Sequence, residues 1–188
     1  VIFGVYAAGQ FSGAHLNPAV TIALAVAGKF SWSLVPTYIA GQFIGAMLGA
    51  LLVYLAYLPH WKETKDAGLK LAVFSTGPAI RHTASNFICE FISTFVLMFV
   101  IMVIGANKYA EGVGPVVVGI LILGMGLSFG GPTGYALNPA RDLGPRIMHA
   151  LLPINGKGDS DWSYAWIPVV APICGAVSAA LIATALLP

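Results

Sequence analysis

The sequence predicts an all-α polytopic membrane protein, an inverted repeat with two re-entrant half-helices. Three observations predict it. The chain is 58% hydrophobic and 9% charged, where a soluble domain carries about 25% charged residues. Four apolar runs, near 32–58, 85–106, 113–129 and 165–187, are of the length a helix needs to cross a bilayer, about 17–25 residues. Finally, the frame Gly-x-x-Leu-Asn-Pro-Ala occurs twice, at 13–19 and 134–140, and its asparagines, Asn17 and Asn138, stand 121 residues apart.

The elements follow in order. Residues 1–8 read as the tail of a span, and 12–16 show no helical pattern. Pro18 directly after Asn17 starts a half-helix over 18–27, because proline suits the first helical position and asparagine suits the cap. The span 32–58 comes next, then a polar connection over 59–83 and the spans 85–106 and 113–129. Residues 131–137 again lack helical pattern, Asn138 caps a second half-helix over 139–151, and 165–187 is the last span. Neither half-helix is long enough to cross a bilayer, so both are re-entrant. The chain therefore divides into 1–58, the remainder of a first repeat; 59–83, a long loop; and 84–188, a second repeat. Two spans precede Asn138 but only sixteen residues precede Asn17, so the symmetry predicts that this chain lacks one full span and most of another.

The halves match beyond the motif. Gly41, Gly45 and Gly49 follow the first half-helix, and Ala171, Gly175 and Ala179 follow the second. Small residues at this spacing let helices approach closely in lipid. Duplicated broken helices point to a site near the membrane midplane.

Non-helical backbone at membrane depth is tolerated where it is buried in protein or lines a watery cavity. The carbonyls of Gly13, Ala14 and His15, and those of Gly134, Tyr135 and Ala136, are candidates for a ladder of acceptors. Each half-helix start carries roughly half a positive charge, and two such ends meeting would repel cations and protons. Asn17 and Asn138 cap through their side-chain oxygens, which leaves the amide NH₂ to face a solute. Arg141, directly after the second motif, is an intramembrane cation and so a functional candidate.

Other signals exclude functions. A net charge of +2 leaves no footprint for nucleic acid. Cys89 and Cys174 sit in apolar runs without metal-ligand spacing and read as buried small hydrophobes. No phosphate loop and no nucleophile–base pair is present, which argues against an enzyme and against a metal or other cofactor. Glu90 is the one acid deep in a span. Trp32, Trp61, Trp162 and Trp166 lie near span ends, as an interfacial belt requires, and His60, His82 and His149 read as loop or interface residues.

The paired segments GAHLNPAV (13–20) and GYALNPARDLGPR (134–146) resemble the major intrinsic protein family, the aquaporins and aquaglyceroporins, over nearly the whole chain. Asp142 after Arg141, and Pro168-Val169 in the last span, are similar to its glycerol-facilitator branch, of bacterial type. The resemblance implies a passive channel in the plasma membrane for glycerol and similar small neutral polyols. It further implies some water passage, exclusion of ions and protons, no cofactor, and a homotetramer in the lipid bilayer. Gly126, Tyr135 and Arg141 would form the selectivity filter. Gly126 stands where water channels carry a histidine, and Tyr135 where facilitators carry phenylalanine. The added hydroxyl keeps open a water-selective or lactic-acid-permeable channel of the same fold. Glu90 would accept hydrogen bonds from a re-entrant loop, Asp142 and Arg146 would pair at i,i+4 as structural support, and the ring of His15 would tether a loop. The resemblance places the long loop outside the cell, whereas its Lys62, Lys65, Lys70 and Arg81 would place it inside on a positive-inside count.

Overall fold

The computed structural model describes residues 1–187, so Pro188, the last residue of the expected second repeat, lies outside the described residues. The described part is all-helical: α1 (Ile2–Ser12), α2 (Pro18–Val26), a 3₁₀ turn (Trp32–Leu34) leading into α3 (Val35–Ala56), α4 (Leu58–Glu63), α5 (Ala67–Ala72), α6 (Thr83–Ala106), α7 (Gly114–Thr133), α8 (Pro139–Leu151) and α9 (Ile167–Leu186). Four segments are long and apolar enough to cross a membrane, namely Trp32–Ala56, Thr83–Ala106, Gly114–Thr133 and Ile167–Leu186.

The helices pair with the symmetry of the repeat. Helix α1 faces α7, half-helix α2 packs on α9, and half-helix α8 packs on α3. Each half-helix thus rests chiefly on the span that follows the other one. The seam between α2 and α9 is nearly all alanine: Ala19, Ala23, Ala176, Ala179, Ala180 and Ala183 are buried, with Met98 and Met102 of α6 filling the gap. Alanine lets backbones approach, and methionine fills the irregular space that remains.

Helices α6 and α9 meet most extensively, and Gly175 is the reason they can. A β-carbon there would collide with the Phe91 carbonyl and stand 3.0 Å from the Phe95 nitrogen. On α3 the matching Gly41, Gly45 and Gly49 have no neighbour within 4 Å among the described residues. That half of the stripe lines an open groove of about 490 Å³.

Several expectations need correction. Helix α7 runs to Thr133, so residues 131–133 are helical rather than loop. Pro132 lies inside the last turn, and Gly134 (φ 76) ends the helix by donating to Gly130 O. The connection 59–83 holds α4 and α5; Asp66 caps α5 by accepting from Gly68 N and Leu69 N. Trp61 is no belt residue. It is buried, stacks on Tyr54 at 6.0 Å, and donates to Tyr54 O at 2.8 Å. His149 is fully buried in α8, not at an interface, while His82 caps α6 by accepting from Ser85 N. Cys174 is exposed and Cys89 half-buried, with its sulfur 3.6 Å from Thr133 Oγ1, so neither is a buried small hydrophobe.

Gly175→Ala is expected to separate α6 from α9 and to destabilise the fold by about 1–3 kcal/mol, the usual cost of overpacking. Thermal unfolding in detergent measures it, and an unchanged midpoint would contradict the close-approach account.

Candidate functional site

Both motifs use the same local device. A glycine in the left-handed region ends a helix, Gly13 (φ 64) after α1 and Gly134 (φ 76) after α7. The next residue, Ala14 (φ 54) or Tyr135 (φ 41), is left-handed as well, and Leu137 (φ 57) follows. Non-glycine residues in this region cost on the order of 1–3 kcal/mol and persist only where the surroundings hold them. The carbonyls of Gly13, Ala14, Gly134, Tyr135 and Ala136 have no hydrogen-bond partner among the described residues. The His15 carbonyl accepts from Gln42 Nε2, which also donates to Thr21 Oγ1 at 2.9 Å.

The two asparagines are tied to each other's loops. Asn17 Oδ1 accepts from Ala19 N at 2.9 Å and so caps α2. Asn138 Oδ1 accepts from Ala140 N at 3.0 Å and Arg141 N at 3.2 Å and caps α8. The Asn17 amide donates to Leu137 O at 2.8 Å, and the Asn138 amide donates to Leu16 O at 2.8 Å. This corrects the picture of a free NH₂ group. An amide has two donors; one is spent across the pseudo-twofold, so each asparagine keeps one N–H for a solute.

Three buried groups hold the second loop. Glu90 is 0% exposed. Its Oε1 accepts from Thr133 Oγ1 at 2.6 Å and Ala136 N at 2.9 Å, and its Oε2 accepts from Leu137 N at 3.1 Å. A carboxylate suits the place because it is acceptor-only and can take several donors at once. Asp142 and Arg146 are also 0% exposed and pair at 2.8 Å. Arg146 further donates to Ser160 O, Asp161 O and Thr76 O at 2.8, 3.1 and 2.8 Å. Lys157 closes the other end of α8 by donating to His149 O, Ala150 O and Leu152 O.

A cavity of about 270 Å³ is lined by the polar residues Asn17, Asn138 and Arg141 and by the aliphatic residues Leu97, Ile101 and Ile122. Tyr135 shares it. Gly126 does not; it lines the neighbouring concavity, under the Tyr135 ring. A β-carbon at Gly126 would lie 3.0 Å from Tyr135 Cζ and 3.2 Å from its hydroxyl, so the ring sits where it does because residue 126 lacks a side chain. The Arg141 side chain is exposed and has no hydrogen-bond partner among the described residues. The ring of His15 packs against Phe30 at 4.7 Å and Tyr38 at 5.5 Å. Sequence reading overlooked Gln42, Thr133 and Thr76. Their roles depend on contacts between distant segments, which no local pattern signals.

The family model described as "Major intrinsic protein" matches residues 1–183. The chain is 62% identical over 175 residues to the glycerol uptake facilitator protein of Bacillus subtilis (strain 168), covering 93% of this chain and 64% of that protein. It is 59% identical over 177 residues to the probable glycerol uptake facilitator protein of Thermotoga maritima, covering 94% of this chain and 76% of the relative. Among solved structures, the aquaglyceroporin from Plasmodium falciparum superposes with a TM-score of 0.87 at 34% identity, over 98% of this chain and 77% of that one. The chain belongs to the major intrinsic protein family and has its all-α membrane fold.

Arg146→Met is expected to leave Asp142 charged and unpaired in the interior, at a cost of about 3–5 kcal/mol. Adding Asp142→Asn should recover part of the loss, because the uncompensated charge is then gone. Detergent unfolding of the single and double variants checks this; a double variant no more stable than the single would contradict it.

Proposed function

We propose that this member of the major intrinsic protein family is a passive, multi-pass plasma-membrane channel for glycerol and similar small neutral polyols, with some water. One observation carries the reading: Asn17, Asn138 and Arg141 share a single cavity with the aliphatic side chains of Leu97, Ile101 and Ile122. A polyol has a hydroxylated edge and a hydrocarbon edge, and this lining offers donors to one and apolar contact to the other. The names of the Bacillus and Thermotoga relatives support the same solute.

In this reading the solute replaces its water shell with fixed partners. Unpaired carbonyls of Gly13, Ala14, Gly134, Tyr135 and Ala136 form the acceptor ladder, joined by His15. The remaining N–H of each asparagine orients a hydroxyl at the centre. The N-termini of α2 and α8 meet there with about half a positive charge each, a barrier to cations and protons that neutral solutes do not feel. Arg141 adds a full charge and a planar fork of donors able to grip two hydroxyls. Gly126, Tyr135 and Arg141 form the filter, and Glu90, Asp142 and Arg146 hold its frame. The long loop lies outside the cell, and the channel assembles as a homotetramer.

A second reading, a water-selective or lactic-acid-permeable channel, rests on the Tyr135 hydroxyl, which occupies space beside Gly126.

Stopped-flow light scattering of proteoliposomes in a glycerol gradient separates the readings. Shrinkage followed by rapid reswelling is the expected trace; fast water loss without reswelling would overturn the glycerol assignment. Tyr135→Phe removes the hydroxyl and should raise glycerol permeability relative to water by about two- to tenfold, a barrier change of up to about 1.4 kcal/mol. An unchanged ratio would show that the hydroxyl does not face the solute.

A further inference from the structure

We propose that Thr76, in the segment 73–82 of the long loop, is a positioning residue that sets the filter geometry from outside the cavity. The inference rests on the channel reading above.

Thr76 spends every polar group it has on one buried pair. Its backbone N and its Oγ1 both donate to Asp142 Oδ2, at 2.7 and 2.6 Å. Its carbonyl accepts from Arg146 Nη2 at 2.8 Å. The residue is buried, at 6% exposure, and does not line the cavity of Asn17, Asn138 and Arg141.

Its carbon atoms do a second job. A β-carbon at Gly134 would stand 3.1 Å from Thr76 Cβ and 3.3 Å from its Cγ2, so the threonine side chain fills the space that Gly134 leaves. Nearby, Ala79 N donates to Pro132 O at 3.0 Å, which fastens the same segment to the end of α7. Thr76 therefore touches the residue before Tyr135 and the residue after Arg141.

The two filter side chains, Tyr135 and Arg141, need such a brace. Tyr135 holds a left-handed conformation (φ 41), and the Glu90 carboxylate holds Thr133 on one side of it and Ala136 and Leu137 on the other but bonds neither Gly134 nor Tyr135 itself. Arg141 has no side-chain hydrogen bond among the described residues, so its aim follows from the rotation of the first turn of α8. Pinning Asp142 fixes that rotation. Thr76 contacts both neighbours, and through them it sets the separation of the aromatic ring and the guanidinium.

The test compares wild type with Thr76→Val and Thr76→Ser in proteoliposomes, reading glycerol and water permeability on the same preparations. Valine keeps the shape and the backbone bond but removes the Oγ1 donor to a buried carboxylate; serine keeps the donor. Thr76→Val should lower the glycerol-to-water permeability ratio at least fivefold, and Thr76→Ser should restore it to within about twofold of wild type. Thermal unfolding of each variant in detergent is measured alongside. A ratio unchanged in the valine variant overturns the proposal, as does equal loss in valine and serine. Thr76→Ala, which introduces no clash, replaces valine if that variant does not assemble; failure of both to assemble also overturns it, in favour of a plain structural anchor. Should wild type conduct water but no glycerol, the glycerol assignment above falls by itself. Water permeability then becomes the readout, lost several-fold in valine and restored in serine if Thr76 positions the filter, and unchanged if it does not.

Discussion

Two amide hydrogen bonds, Asn17 to Leu137 O and Asn138 to Leu16 O, both 2.8 Å long, are what the centre of this fold depends on. They answer a constraint set by the bilayer: a helix that stops at membrane depth exposes backbone groups that lipid cannot satisfy. Each asparagine closes the helix start on its own side with its oxygen and the loop end on the other side with its nitrogen. Neither repeat can complete its re-entrant turn alone. The two half-helices are locked at one point with their positive ends together, an arrangement electrostatics would otherwise oppose.

The same constraint explains where the buried charges are. Glu90 and the Asp142–Arg146 pair are fully buried and would be costly if they faced hydrocarbon. Each instead collects donors or acceptors from irregular backbone: Ala136 N and Leu137 N on Glu90, Thr76 N on Asp142, and the carbonyls of Thr76, Ser160 and Asp161 on Arg146. The charged side chains thus serve the loops as secondary structure serves the spans.

Packing distributes the load. Alanine along α2 and α9, and glycine at Gly144 and Gly175, bring helix axes close enough for backbone to touch backbone. Gly144 shows the same for the other half-helix, since a β-carbon there would lie 3.0 Å from Ala46 Cβ on α3. The exchange of half-helices between repeats means that loosening either seam displaces an asparagine of the central pair.

Much of this was legible in the chain itself. Apolar run length depends only on local composition, so the four spans were found to within a few residues, and the Asn-Pro start signals placed both half-helices. Residues 131–133 were misassigned because proline and glycine clusters mark helix ends without saying which side of them the helix stops. Trp61 and His149 were misplaced because burial depends on what folds over a residue, here Phe74 and the loops around it. By itself the sequence determined the membrane class, the repeat, and the residues that meet at its centre, since those follow from hydropathy and from a motif written twice. Only the tertiary structure decided that each asparagine gives one of its two donors to the opposite loop, that Gly126 makes room for the Tyr135 ring, and that Thr76 reaches the residue before Tyr135 and the residue after Arg141. The asparagine and Thr76 contacts join segments far apart in the chain, and the Gly126–Tyr135 contact depends on how the loop folds back on its helix, so no local pattern encodes them.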